Sequence, residues 1–247
     1  MTDARVPATG AGQDLSPFDG IDAWVFDLDN TLYPSHTNLF QQVDRRIGDY
    51  VQRLLKLNAD DAHHVQKDYY RRYGTTLRGL MEEHGIGADE FLEYVHDIDH
   101  SGIEPDPRLT SAIADLPGRK FILTNGSRRH AEKIAEKLGF TNHFEDIFDI
   151  VSSELLPKPN RETYDRFVAA TGVAPGETAM FEDLARNLVV PKALGMQTVL
   201  VIPAGTREVF QEDWELEGRD ADHIDFLTDD LGGFVENVVA AIRGASR

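Results

Sequence analysis

Cysteine is missing altogether from the 247 residues, which excludes disulfides, thiol nucleophiles and thiolate metal sites. No apolar run approaches the roughly 18 residues that a bilayer-spanning helix needs. The opening stretch, MTDARVPATGAGQDLSPFDG, lacks the basic-then-apolar plan of a secretion signal. It is small, polar and rich in glycine and proline, and reads as a flexible leader over 1–20. Positive charge is scarce: 25 Lys and Arg against 43 Asp and Glu leave a formal net charge of −18. Neither nucleic acid nor an anionic membrane is therefore an expected partner, and a cytoplasmic location is the expectation. The apolar fraction of 41% is ordinary, so the chain can bury one large core, or a core with a smaller insert.

What is present changes texture twice. An apolar run at 22–27 reads as a strand, closed by the turn chemistry of Asn30 and Pro34. From about Leu39 the period becomes helical, with Phe40, Val43, Ile47, Tyr50 and Leu54 recurring every three or four residues. Helix-like text runs on to about Val95 without a convincing strand. After Pro105-Asp106-Pro107 strands alternate with helices: strands at 120–123, 149–152, 178–181 and 197–202, helices at 109–116, 127–138, 161–170 and up to 194. That alternation predicts βαβ units, hence a doubly wound, Rossmann-like parallel α/β sheet with helices on both faces. The expected division is a core of 21–34 plus 105–247, with an inserted all-α cap at 35–104. The acidic stretch 203–230 has weak periodicity; an edge strand at 223–226 and a last helix at 231–242 are the expectation there.

In a doubly wound sheet, ligands bind beyond the carboxyl ends of the strands. The residues that follow the predicted strands are Asp27 and Asp29, then Thr124-Asn125-Gly126, then Pro157-Lys158-Pro159, then Glu182-Asp183. Each alone has a bland reading. Asp-x-Asp after a strand is commonly a turn, Asn-Gly is ordinary turn chemistry, and Glu-Asp can cap a helix. Together, each after its own strand, they suit the holding of a phosphate and a divalent metal. A carboxylate can attack phosphorus and split one hard displacement into two. Asp27, Asp29 and Asp183 near one point repel unless a cation sits among them, and oxygen-only ligands favour a hard ion such as Mg²⁺. Thr124 offers a hydroxyl, Asn125 and Gly126 offer N–H groups at a helix start, and Lys158 offers a point charge. The histidines His63, His64 and His130 are expected at the surface.

Asp27-Leu-Asp29-Asn-Thr31, Thr124-Asn125, Lys158-Pro and Glu182-Asp183 with Asn187 resemble, in order, the four motifs of the haloacid dehalogenase superfamily of phosphohydrolases, from about residue 21 onward. The insert after the first motif is similar to that superfamily's helical cap. The resemblance implies that Asp27 is the nucleophile and Asp29 the general acid/base, beginning protonated. It implies Mg²⁺ held by Asp27, the Asp29 carbonyl and Asp183, and a phosphoryl group bound by Thr124 and Lys158. Glu182 would support the metal site and Asn187 would stand behind it.

Longer matches, Asp29-Asn-Thr-Leu-Tyr-Pro34, Tyr73-Gly-Thr-Thr-Leu-Arg-Gly-Leu80, His96-Asp97 and Phe181-Glu-Asp-Leu-Ala-Arg-Asn187, look like the pyrimidine 5′-nucleotidase branch. That implies a nucleoside monophosphate such as UMP or CMP as the small phosphorylated substrate. Tyr73, Thr75, Arg78 and His96 are then candidates for touching the leaving group, with Asn38, Phe40 and Gln41 as weaker ones. The alternatives are another phosphatase of the superfamily, acting on phosphoglycolate or a sugar phosphate, a phosphomutase, or a non-catalytic binding protein. A dehalogenase is disfavoured because cleaving a carbon–halogen bond needs neither the acid at Asp29 nor a metal.

Overall fold

The computed structural model describes residues 13–34, 37–202 and 221–245. Six parallel strands form one sheet in the order β3-β2-β1-β4-β5-β6: β1 Ala23–Phe26, β2 Arg119–Leu123, β3 Asp146–Phe148, β4 Thr178–Glu182, β5 Gln197–Val201 and β6 Phe226–Thr228. Central strands β1 and β4 are buried along their whole length, which is why they read as unbroken apolar runs. Alternate side chains serve opposite faces. Trp24, Phe26, Ile122 and Phe181 pack into one core with helices α5 (Pro107–Asp115), α6 (Arg128–Leu138) and α9 (Leu231–Ala245). Val25, Phe121, Leu123 and Met180 meet α7 (Arg161–Thr171) and the turn Ala185–Leu188 that leads into α8 (Val189–Leu194).

Between β1 and α5 lie four more helices, α1 Leu39–Leu55, α2 Ala59–Tyr73, α3 Thr76–His84 and α4 Ala88–Val95. They have a hydrophobic core of their own, including Val43, Val51, Leu80 and Phe91, which Ile150 of the sheet unit joins. Asn58 and Thr75 cap α2 and α3 by accepting from Asp61 N and Arg78 N. Gly79 lets these two helices close up, since a Cβ there would stand 2.5 Å from the Tyr69 ring.

Three expectations shift. The strand expected at 149–152 ends at Phe148, because the Asp149 carboxylate accepts from Arg128 N, Ser152 N and the Ser152 hydroxyl at 2.7–2.9 Å and winds the chain into a turn. The edge strand expected at 223–226 falls at Phe226–Thr228. The Asp225 carboxylate there accepts from Thr198 N and Oγ1, so that residue belongs to a side-chain staple. Inside the expected leader, Phe18 is buried against Trp24 and Phe226. Most of the acidic 203–230 stretch, 203–220, lies outside the described residues, as do leader residues 1–12.

Candidate active site

The strand order turns outward in both directions from β1 and β4, so the crevice between their carboxyl ends is open to a ligand. Asp27 follows β1 directly. Its N–H still donates to Phe181 O at 2.9 Å, so the sheet fixes its backbone while its side chain passes the sheet edge. Leu28 is buried, and Thr31 N and Leu32 N both donate to its carbonyl. Asn30 takes a left-handed φ of 59°, a conformation that asparagine tolerates. This tight turn sends Asp27 and Asp29 in different directions.

Lys158, only 1% exposed, donates to Asp27 Oδ1 at 2.6 Å, Glu182 Oε1 at 2.7 Å and Leu123 O at 2.9 Å. That uses all three ammonium protons. Asn125 fastens the same residue by its backbone: Oδ1 accepts from Lys158 N at 2.8 Å and Nδ2 donates to Lys158 O at 3.3 Å. Asn125 thus positions Lys158 with its side chain. Buried Thr124 is held by N–H donation to Phe148 O, and its Oγ1 accepts from Gly126 N at 2.9 Å. Glu182 accepts from Asn187 Nδ2 at 2.6 Å and from Leu184 N at 2.8 Å as well as from Lys158.

Oxygens of Asp27, Glu182 and Asp183 lie within 4.8 Å of one another. The single ammonium beside them cannot balance all three. Burial pushes the Asp27 carboxyl up to about 7, against the pull of Lys158, and the charges of Glu182 and Asp29 add to the rise. Burial, with Glu182 and Asp27, pushes Asp183 well above the usual range. Burial would raise Glu182, but Lys158, the Leu184 N–H and Asp183 together hold it low; burial would lower Lys158, but Asp27 and Glu182 together hold it high.

The excess negative charge therefore rests on Asp27 and Asp183. Asp183 meets one side-chain N–H among the described residues, that of Asn30 at 3.5 Å, and the buried Oδ1 of Asn187 has no donor. All-oxygen donors, two of them short of positive charge, fit a hard divalent cation. Glu182 shares the cluster, but both of its oxygens already accept protein N–H groups, which leaves it a supporting rather than a ligating position.

Asp29 stands apart from that cluster. Its Oδ1 accepts from Tyr33 OH at 2.5 Å and lies 3.2 Å from His130 Nε2. Burial would raise its pKa, but His130 and Tyr33 outweigh burial and hold it below the ordinary carboxylate range. This differs from the expectation that the residue begins protonated. His130 also differs from expectation: it is 1% exposed, whereas His63 and His64 are at the surface as expected. Its position was legible in one respect. His130, Ile134 and Leu138 lie four residues apart on the buried face of α6.

Every catalytic, phosphate-binding and metal candidate of the sheet unit lines one cavity of about 180 Å³. Of the helical candidates, Thr75, His96, Phe40 and Gln41 line it as well. Tyr73 and Arg78 do not: Tyr73 bonds Glu83 and Arg72, and Arg78 pairs with Glu82 one turn on. Asn38 is also absent from the wall. The sequence reading missed Val43, Ile47, Gln66 and Lys67, whose signal was only ordinary helical periodicity. Among the described residues no helix is long and apolar enough to cross a membrane.

Residues 21–195 match the family model of haloacid dehalogenase-like hydrolases. Phosphate metabolism protein 8 of Saccharomyces cerevisiae is 25% identical over 193 residues, which is 71% of this chain but 60% of that protein, so the match spans less than two thirds of its length. A phosphoglycolate phosphatase of Chromobacterium violaceum is 27% identical over 204 residues, 73% of this chain and 85% of that one. The solved L-2-haloacid dehalogenase of Xanthobacter autotrophicus superposes with a TM-score of 0.57 at 19% identity, covering 91% of this chain and 99% of its own, a likeness of fold. With the sheet order and the strand-end acids in place, the match over most of the chain is decisive: the protein belongs to the haloacid dehalogenase-like hydrolase family.

Proposed function

We propose that the protein hydrolyses phosphomonoesters through an aspartyl-phosphate on Asp27, and that helices α1–α4, within 35–104, act as a cap that selects the leaving group. The observation that carries this reading is the junction of Lys158 with Asp27 and Glu182 at 2.6 and 2.7 Å, beside Thr124 and Asp183. It joins a nucleophile, a fixed cation and a hydroxyl at the rim of one cavity.

Lys158 holds Asp27 Oδ1, which leaves Oδ2, approached by the Thr31 hydroxyl at 3.4 Å, to attack phosphorus in line. The bond from phosphorus to the ester oxygen breaks as the bond to Oδ2 forms, and Asp29 gives the leaving oxygen its proton. Water then attacks the acyl phosphate, Asp29 takes its proton, and phosphate leaves with Asp27 restored. A bound phosphoryl dianion supplies like charge that pushes the Asp29 pKa back up from its low resting position, which suits it to donate. A divalent cation held by Asp27, Asp183 and the Asp29 carbonyl would supply positive charge that offsets nucleophile and phosphoryl oxygens together. The Thr124 hydroxyl is placed to donate to a phosphoryl oxygen, and Lys158, whose protons stay on Asp27, Glu182 and Leu123, offsets charge on the nucleophile and the phosphoryl group.

The leaving group we favour is a nucleoside, as in UMP or CMP. The helical wall presents Val43, Ile47, Leu77 and Phe91, which suit a flat ring. Among the described residues the two cations that line the cavity are both paired, Lys67 with Asp44 at 3.3 Å and Lys158 as above. A carboxylate-bearing leaving group such as glycolate would need a cation that neither supplies without losing its partner. Phosphate release from a panel of UMP, CMP, phosphoglycolate and sugar phosphates, with Mg²⁺ and with EDTA, tests both levels. Turnover in EDTA removes the metal from the reading. A sugar phosphate or phosphoglycolate ahead of UMP and CMP by more than about tenfold in kcat/KM, about 1.4 kcal/mol of discrimination, removes the nucleotide.

A further inference from the structure

We infer that His130 is a positioning residue that, with Tyr33, aims the Asp29 carboxyl at the substrate, and that His96 of the helical block holds His130 in place. The inference rests on the phosphohydrolase reading above and adds to it residues that none of the four motifs contains.

Both donors address one oxygen. Tyr33 OH and His130 Nε2 meet at Asp29 Oδ1, at 2.5 and 3.2 Å. Oδ2 has no protein donor among the described residues, and Asp29 lines the cavity. Two donors on one oxygen, approaching from residues 4 and 101 positions away, fix the carboxyl plane and leave the other oxygen for exchange with substrate or water. The metal cluster draws on Asp27 and Asp183, so orienting the Asp29 side chain falls to these two residues.

His130 carries a feature that packing does not account for. It is 1% exposed, and its Nδ1 is buried with no partner. A phenylalanine or leucine would fill the same position on α6 without an orphan nitrogen, so a polar ring here points to its other nitrogen. A proton on Nδ1 would be buried without an acceptor. The ring therefore carries its proton on Nε2 and donates to Asp29.

The His96 ring, at the end of α4, stacks on His130 with centroids 4.2 Å apart and planes at 15°. Its Nδ1 lies 3.0 Å from Ser127 Oγ, the hydroxyl that caps α6 by accepting from His130 N at 3.4 Å. The helical block thus touches both the ring that orients Asp29 and the cap of the helix that carries it. A shift of the block would release the acid/base from its orientation.

A leaving-group comparison separates positioning from general damage. An alkyl phosphate needs a proton on its departing oxygen, while 4-nitrophenyl phosphate expels a stable phenolate and does not. His130→Phe is expected to lower kcat/KM for the alkyl ester by about a hundredfold and for the aryl ester by less than about threefold. His130→Gln, which restores an N–H at the reach of Nε2, recovers most of the alkyl activity. Tyr33→Phe shows the same selective loss, and it carries the test if His130→Phe does not fold. Equal losses on both esters in active, folded variants, or no recovery with glutamine, overturn the inference alone. Wild-type protein inert toward both esters overturns the phosphohydrolase reading and the inference with it.

Discussion

Around the same cavity, the sheet unit presents carboxylates, an ammonium and a hydroxyl, while the helical block presents the apolar Val43, Ile47, Leu77 and Phe91 among polar groups such as Gln66, Lys67, Thr75 and His96. The first set is held by a dense net: Lys158 alone makes three donations between 2.6 and 2.9 Å, and its backbone is fastened by Asn125. The apolar wall residues are held by packing in the helical core, which Ile150 of the sheet unit joins. Polar groups in a buried site must be orientated and satisfied, so they sit at strand ends where the sheet fixes the backbone. Apolar wall residues need only the right helix face, and many sequences can supply one. On the function proposed above, the chemistry belongs to the sheet unit and the choice of leaving group to the helical block.

That contrast can be broken from either side. Asp27→Asn is expected to lower phosphate release at least about a thousandfold while the fold survives; near-normal turnover would remove Asp27 from the chemistry. Lys158→Met leaves Asp27 and Glu182 buried without their counter-charge and is expected to cost about 3–5 kcal/mol in urea unfolding in EDTA. A loss no larger than a surface mutation's would mean that the net described above does not hold the site together.

Mg²⁺ at a hundredfold excess over its dissociation constant is expected to stabilise the wild type by about 2.7 kcal/mol. In Asp183→Asn that gain disappears, and the variant in EDTA is at least as stable as wild type, since a buried charge short of partners has gone. Equal stabilisation of both proteins would place the cation elsewhere. The smallest effects belong to Tyr73→Phe and Arg78→Ala. Their contacts are with exposed Glu83, Arg72 and Glu82, so kcat/KM for any substrate should stay within about twofold and stability within about 1 kcal/mol. A large KM change in either would show that the block moves far enough to bring them to the cavity.

Much of this was readable along the chain. The strand at 22–27 follows from its unbroken apolar run, and the order of strand and helix after 105 from short apolar runs alternating with a period of three or four, and from turn residues such as Asn30 and Gly126. Strand ends at 148 rather than 152, and β6 displaced toward 228, were not readable, because Asp149 and Asp225 act through side-chain hydrogen bonds that compete with the ladder. Tyr73 and Arg78 were misplaced for a related reason. A motif names a helix, and only packing says which face of it meets the cavity.

That four polar groups follow four strands in order is written in the chain, because strand identity depends on neighbours within a few residues. So is the helical character of the insert, by its period. Long-range packing alone brings His130 to Asp29 from 101 residues away and stacks His96 upon His130. It alone left Asp183 and Asp27 short of positive charge. Such outcomes depend on distances across the fold and on burial, which raises the cost of a charge or of an unpaired nitrogen, and neither quantity exists until distant segments pack.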